Sequence, residues 1–301
     1  MNPRRPLFVL NPAARGGRAV RLLPLVRQSI AEHGGAGEVV CTEHARHATS
    51  LAREAAQAGF DAVIGVGGDG TLQEIANGLV TSRQQLPIGV VPTGSGNDFV
   101  RSLGLPTAPS AALDLAWSTA ERSVDLAACG ERYFLNAGGA GFDARVARAA
   151  HSMPSVLRFG AIPYVAGVLR ELMHNTAHEF RIHLDDRTLQ RRALMVVVAN
   201  GAFYGGGMMI CPDASRDDGL LDICVVGEVS RREVLRLLSA VFSGKHVGDP
   251  HVEFFRTRTV RIESAQPCEL HLDGELAGTL PAEFRAVPSA LRVLVGSGSA
   301  A

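Results

Sequence analysis

The chain has 301 residues, is 46% hydrophobic, and balances 30 Lys plus Arg against 30 Asp plus Glu. That composition supports a large core spread over about two domains and excludes a disordered chain. Zero net charge argues against a general polyanion binder such as a nucleic-acid protein, which needs a net positive field.

The first residues, "MNPRRPLFVLNP", place basic side chains ahead of an apolar run. That run is too short for a signal segment and is cut by Pro12, so it reads as a first buried strand. No apolar segment approaches the ~18 residues of a membrane span. The cysteines, Cys41, Cys129, Cys211, Cys224 and Cys268, are scattered and form no CxxC pair. They read as free thiols in a reducing compartment, with no zinc pattern. The expected location is the cytoplasm, peripheral to a membrane.

From here to about residue 122 the pattern alternates. "LFVLN" is a short apolar run, and "RAVRLLPLVRQSIAEHG" has helical period. "EVVCT" is a second run and "HATSLAREAAQAG" a second helix. "AVIGV", the helix "TLQEIANGLV" and "PIGVV" follow. Short Val- and Ile-rich runs alternating with helices predict a parallel α/β sheet. In such sheets ligands lie beyond the carboxyl ends of the strands. Three of those ends carry unusual chemistry: "NPAARGG", "GGDGT" and "PTGSGND".

Residues 123–301 read as a β-rich second domain, with the tail 282–301 a candidate to pack back on the first. "RYFLNAGGAGFDARVARA" predicts a strand, a glycine-rich turn and a helix. "SVLRFGAIPYVAGVLRELM" is an amphipathic helical stretch interrupted by Pro163. Its apolar positions Val156, Leu157, Phe159, Ile162, Val165, Val168, Leu169 and Leu172 either pack in the core or wall a lipid cleft. "EFRIHLDD", "RRALMVVVAN", "LLDICVV", "HVEFFRTRTVRIES" and "CELHLDGEL" are mostly strands, and "REVLRLLSAVFSG" is a helix. "EFRAVPSALRVLVG" predicts two more short strands.

Glycines at a strand-to-helix junction permit positive φ and let a ligand reach main-chain N–H groups. Those groups and the N-terminus of the helix beginning near Thr71 make an anion site suited to phosphate. Asp69 is anomalous there. A carboxylate beside phosphates needs Mg²⁺ or a substrate hydroxyl between them; the competing reading is a plain helix cap. "PTGSGND" is a second anion-friendly loop, and two such loops on one rim suggest a nucleotide polyphosphate site. It is neither a P-loop nor a dinucleotide fingerprint, since GKS, GKT and an early GxGxxG are absent.

Taken together, "LNPAARGGRA", "VGGDGTLQE" and "PTGSGNDF" resemble the diacylglycerol kinase-type lipid kinases, a family that includes bacterial lipid kinases and the sphingosine and ceramide kinases. "NAGGAGFDA", "ANGAFYGGGMMICPDASRDDGLLDI" and "LDGE" follow in that family's order, so the resemblance covers nearly the whole chain. GGDG alone is less specific, because NAD kinases and phosphofructokinases share it. The first loop departs from the family by about one extra residue.

The resemblance implies an α/β N-terminal domain of NAD kinase/phosphofructokinase type and a β-sandwich-like C-terminal domain. It implies ATP bound between the lobes, lined by Asn11, Thr42, Gly67, Gly68, Asp69, Gly70, Thr71 and Thr93. Glu74, Gly94, Ser95, Asn97 and Asp98 lie close by. It also implies a structural Mg²⁺ held by Asp218 and the carbonyls of Ser215 and Leu220, where the residues alone read equally as a turn before a strand. Glu275 would be the general base, supported by Asp273, with Asp69 also placed in the catalytic set. Asp-Gly is equally a hairpin turn. His44, His47 and His271 receive no catalytic role.

The implied activity is an ATP- and Mg-dependent lipid kinase of phospholipid metabolism. It acts on a lipid at the membrane surface, binds no nucleic acid, and is compatible with a homodimer. The competing classes are an NAD kinase-like enzyme and a non-catalytic nucleotide- or lipid-binding regulator. "LNAGGAGFD" lacks the Glu that the former would need for ribose. The intact GGDGT and LDGE argue against the latter.

Overall fold

The computed structural model describes residues 4–82, 86–153, 161–172 and 176–296. Two compact units divide the chain, Met1–Val124 with Ser289–Ala301, and Asp125–Pro288.

In the first unit the order is β1 (Pro6–Leu10), α1 (Ala14–Gly17), α2 (Leu23–Glu32), β2 (Glu38–Cys41), α3 (His47–Glu54), β3 (Ala62–Gly67), α4 (Asp69–Thr81), β4 (Ile88–Pro92), α5 (Asp98–Ser102) and α6 (Pro109–Leu115). The strands pair in parallel in the order β2-β1-β3-β4. All of β1, β3 and β4 are buried, because helices cover both faces of the sheet. One face packs Phe8, Leu10, Ile64 and Val66 under Val26 and Ile30 of α2 and Ala112 and Leu113 of α6. On the other, Gly65 leaves room for Leu72 and Ile75 of α4, and Gly78 lets α4 approach the Thr49 carbonyl of α3.

The helix expected from Arg18 begins as a 3₁₀ turn, Arg18–Leu22, and becomes α-helical only at Leu23, where Pro24 falls in the first turn. Ahead of it, α1 is no regular helix: Arg15 and Gly16 are left-handed, with φ of 53° and 64°, so the segment is a glycine-rich turn.

The second unit is entered within β5 (Glu121–Cys129). It holds β6 (Arg132–Phe134), β7 (Ala137–Gly141), α7 (Phe142–His151), α8 (Ile162–Glu171), β8 (His178–His183), β9 (Thr188–Ala199), β10 (Phe203–Tyr204), β11 (Met208–Met209), β12 (Leu221–Gly227), α9 (Arg231–Val241), β13 (Val252–Thr257), β14 (Thr259–Ser264), β15 (Glu269–Leu272) and β16 (Glu275–Thr279). It is left within β17 (Ala282–Leu294). The pairing is antiparallel. β9 is the hub, bonded to β8 along its first half and to β7 and β12 along its second. Its "LMVVVA" run is apolar at every position because both faces are covered. Val196 and Val198 join a cluster with Phe180, Ile223 and Phe284, while Val197 and Ala199 join Phe142, Tyr204 and Leu237.

Three expectations change. "AGGAG" is a fully buried strand, β7, and not a turn. Its glycines serve close approach within the sheet, since a Cβ at Gly138 would press on Leu272. Pro163 falls in the first turn of α8 and does not break it; Val156, Leu157 and Phe159 lie outside the described residues. The tail is one 13-residue strand, β17, which absorbs Pro288 and the left-handed Ser289 (φ 50°).

Candidate active site

In the first unit, β3 and β4 are adjacent, so the turns after them meet side by side. Their glycines touch each other. A Cβ on Gly94 would lie 2.7 Å from the Gly68 Cα, and one on Gly68 would lie 3.0 Å from the Gly94 Cα. Gly67 is kept bare by Thr71, whose side chain occupies the space a Cβ would need. Gly70 is different: nothing lies within 4 Å of its Cβ position, so the open side of the loop is there.

Asp69 is the tie between the two loops. Its Oδ2 accepts from the Asp98 N–H at 3.1 Å and its Oδ1 from the Phe99 N–H at 3.0 Å. The carboxylate therefore caps α5 rather than its own helix α4, through two backbone N–H groups. Asn97 supports the bend in a left-handed conformation, φ 52°.

The rest of the rim is built the same way. Asn11 donates from Nδ2 to Thr71 Oγ1 at 3.0 Å, accepts from the Ala13 N–H at 3.0 Å, and joins β1 to β3 through Asn11 N–H to the Val66 carbonyl. Thr42 N–H donates to the Leu10 carbonyl at 2.8 Å, and Thr93 N–H to the Gly67 carbonyl at 2.9 Å. Glu74 points back to α3, accepting from the Arg46 and Ala48 N–H groups at 3.0 and 3.2 Å. Ser95 is exposed. Thr93 Oγ1 and Asn97 Oδ1 are buried with no hydrogen-bond partner among the described residues. The Thr93 hydroxyl could donate to a phosphate oxygen, and Asn97 Oδ1 could accept from a ligand N–H or O–H.

In the second unit, "LDGE" forms the β15–β16 hairpin. Asp273 (φ 47°) and Gly274 (φ 86°) are both left-handed, as a two-residue Asp-Gly turn requires. The Asp273 carboxylate is committed to main chain. It accepts from the N–H groups of Leu135, Asn136 and Ala137 at 2.7, 2.8 and 3.2 Å, clamping the turn to the start of β7. Glu275 is half exposed and pairs with Arg132 at 3.2 Å.

Two residues that the motifs did not single out complete this region. Asp143, at the start of α7, and Tyr204, in β10, meet the imidazole of His271 below the hairpin turn. No sequence signal marked them, since strand alternation puts His271 on the face opposite Leu270 and Leu272. Asp143 and Tyr204 also line an apolar cavity, walled by Phe142, Val146, Leu237 and Val241.

The segment expected to hold structural Mg²⁺ is already charge-compensated. Asp218 Oδ1 accepts from the Leu220 N–H at 3.0 Å, and its Oδ2 meets the Arg256 guanidinium. Arg256 also lies 3.3 Å from Asp222. Burial, opposed by Arg256, pushes the Asp222 carboxyl up to about 6. The expected site adds only the main-chain carbonyls of Ser215 and Leu220 to the one Asp218 carboxylate, whose Oδ2 is already given to Arg256. A divalent cation at Asp218 would face a guanidinium, so the residues as arranged do not fit one.

Protein-family comparison matches residues 5–129 to the diacylglycerol kinase catalytic domain and residues 137–295 to the YegS C-terminal NAD kinase beta sandwich-like domain. A diacylglycerol kinase of Mycobacterium tuberculosis (strain H37Rv) is 34% identical over 292 residues, covering 94% of this chain and 93% of that one. One of Bacillus subtilis (strain 168) is 30% identical over 286 residues, covering 93% of each. Among solved structures, a diacylglycerol kinase of Bacillus anthracis str. Sterne superposes with a TM-score of 0.78 at 22% identity over 99% of both chains. Another chain from that organism gives 0.83 at 24% identity over 99% of both.

Replacing Asp69 by Ala leaves the Asp98 and Phe99 N–H groups without their acceptor. The expected cost in urea unfolding is about 1–3 kcal/mol, with a parallel loss of nucleotide affinity; unchanged stability would remove Asp69 from its tying role. At the other segment, the melting temperature of the nucleotide-free protein should not differ between EDTA and millimolar Mg²⁺. Arg256→Ala should make it Mg²⁺-dependent, and a wild-type shift with Mg²⁺ would contradict the compensation by Arg256.

Proposed function

Because the chain belongs to the diacylglycerol kinase-type family of lipid kinases, we propose that it transfers the γ-phosphate of Mg-ATP to a hydroxyl of a membrane lipid of the diacylglycerol kind. The observation that carries the nucleotide half is the pair of abutting glycine loops, tied by Asp69 and open at Gly70, with Thr93 Oγ1 and Asn97 Oδ1 unmet. Backbone N–H groups of Gly68, Gly70 and Gly94 would cradle phosphate, helped by the N-terminus of α4. Mg²⁺ travels with the nucleotide as part of the substrate and takes most of its oxygens from phosphate and water, so it needs few protein ligands.

In the reaction the lipid hydroxyl oxygen forms a bond to the γ-phosphorus, the bond from that phosphorus to the bridging oxygen breaks, and ADP leaves. The hydroxyl proton passes to Glu275. Such transfers depend mainly on positioning and charge compensation. The apolar cavity of the second unit would take an acyl chain, each buried methylene contributing about 0.8 kcal/mol. Ile162 and Leu169 of α8 are more than half exposed, and Leu235, Phe242 and Val247 on and after α9 are exposed as well. α8 and α9 both line the cavity, so these side chains suit a peripheral encounter with a bilayer surface. No helix among the described residues is long and apolar enough to cross one.

Incubation with labelled ATP and mixed micelles of single purified lipids should label one class of lipid alcohol. Glu275→Gln keeps shape and reach but cannot take the proton. Its kcat should fall by ~10²–10⁴-fold, with ATP affinity and melting temperature near wild type. Label that appears in no lipid, or a kcat within a few-fold of wild type, would refute the activity or the base respectively.

A further inference from the structure

Below the hairpin that carries Glu275, the second unit buries three polar side chains in mutual contact. His271 is 0% exposed, and its Nε2 lies 2.7 Å from Asp143 Oδ2. The Gly274 N–H reaches the other ring nitrogen, Nδ1, at 3.2 Å. An N–H can only donate, so Nδ1 carries the lone pair and the ring proton sits on Nε2, which donates to Asp143. Tyr204 O–H donates to the remaining oxygen, Asp143 Oδ1, at 2.8 Å. Burial first, and the Asp143 charge second, hold that phenol well above its ordinary range, so it remains a donor. Its ring stacks on the imidazole with centroids 6.3 Å apart and planes 9° from parallel. The backbone makes way for the group: a Cβ on Gly139 would strike the Asp143 carboxylate.

A buried carboxylate and imidazole are costly residues for a core that could have been apolar there. Leu270 and Leu272, on either side of His271, are apolar and buried. What the polar trio does that an apolar one could not is accept the Gly274 N–H. That N–H belongs to the second residue of the turn, next to Glu275. The other end of the same turn is held by Asp273 on Leu135, Asn136 and Ala137.

We propose that Asp143 and His271 form a second clamp on this turn and thereby set the direction of Glu275, acting as positioning residues for the transfer. Asp143 selects the tautomer, because only an Nε2–H can donate to it. The tautomer in turn leaves Nδ1 free to accept from Gly274. The opposite tautomer would set an N–H against an N–H and push the turn away. Asp143 and Tyr204 also line the apolar cavity, so the cavity wall and the turn bearing Glu275 share one hydrogen-bonded piece. The inference rests on the proposed role of Glu275.

The test compares His271→Phe, which keeps a flat ring without an acceptor, with His271→Asn, whose Oδ1 stands near the place of Nδ1. His271→Phe should lower kcat by about 10²-fold, the order of loss that a displacement near 1 Å can cause, with KM for ATP unchanged. His271→Asn should return kcat to within a few-fold of wild type. Hydrogen exchange at the Gly274 amide should speed up in the Phe variant and not in the Asn variant. In a Glu275→Gln background, His271→Phe should cost nothing further. Wild-type kcat in the Phe variant, a loss that Asn does not rescue, or an equal loss repeated in the Glu275→Gln background would each overturn the clamp. If the Phe variant does not fold, the ¹⁵N spectrum of wild-type His271 decides: protonated Nε2 with bare Nδ1 supports the clamp, and the reverse overturns it. A wild-type kcat in Glu275→Gln alone would instead count against the base assignment, and the exchange and tautomer measurements would still decide the clamp.

Discussion

The contact between Gly68 and Gly94, locked by the Asp69 carboxylate on the Asp98 and Phe99 N–H groups, is the constraint on which the first unit's site depends. Two strands lie side by side in a parallel sheet, so their carboxyl-end turns meet there. If either turn carried a side chain at the point of contact, the turns would separate by the width of a methyl group. Asp69 then turns proximity into a fixed arrangement, since its two oxygens hold two consecutive amides at the start of α5. The motif spelling G-G-D-G is thus three instructions: glycine at Gly67 for the Thr71 side chain, at Gly68 for contact with the neighbouring loop, and at Gly70 for open backbone.

The second unit applies the same economy of side chains to a different end. β7 consists of small residues because other groups must come close to its backbone: Leu272 at Gly138, and the Asp143 carboxylate at Gly139. A buried polar knot elsewhere in this unit works alike. Arg216, 3% exposed, lies where a Cβ of Gly201 would stand and donates to the Leu135 carbonyl and Asn136 Oδ1. The backbone stretch 135–137 is therefore held from two sides, by Arg216 on its carbonyl and by Asp273 on its N–H groups. That stretch is the platform on which the hairpin with Glu275 stands.

Much of the architecture was legible because burial writes itself into period. The apolar runs at Leu7, Val63 and Ile88 could only be strands covered on both faces, and the helices between them made a parallel sheet the economical reading. The glycine turns were legible as neighbouring loops because they follow adjacent strands of that sheet. Other features were hidden by the locality of sequence. The tie that Asp69 makes was hidden because its partners, Asp98 and Phe99, lie about thirty positions on. "AGGAG" looked like a turn because glycine is depleted in strands, and only the tertiary neighbours of Gly138 and Gly139 explain it. Arg256 could not be paired with Asp218 from spacing, since the two meet only through the β12–β13 ladder. His271 was set aside for want of a motif, and strand alternation puts it on the face opposite Leu270 and Leu272, so only the structure shows that face to be buried too.

The central claim is that the loops at 67–71 and 93–98 together hold the phosphates of ATP. Hydrogen–deuterium exchange with and without saturating Mg-ATP tests it directly, because it reads the backbone N–H groups that would do the holding. The account predicts slowed exchange at both loops on nucleotide addition, lost together in Asp69→Ala. Protection confined to one loop, or found elsewhere with both loops unchanged, would contradict it.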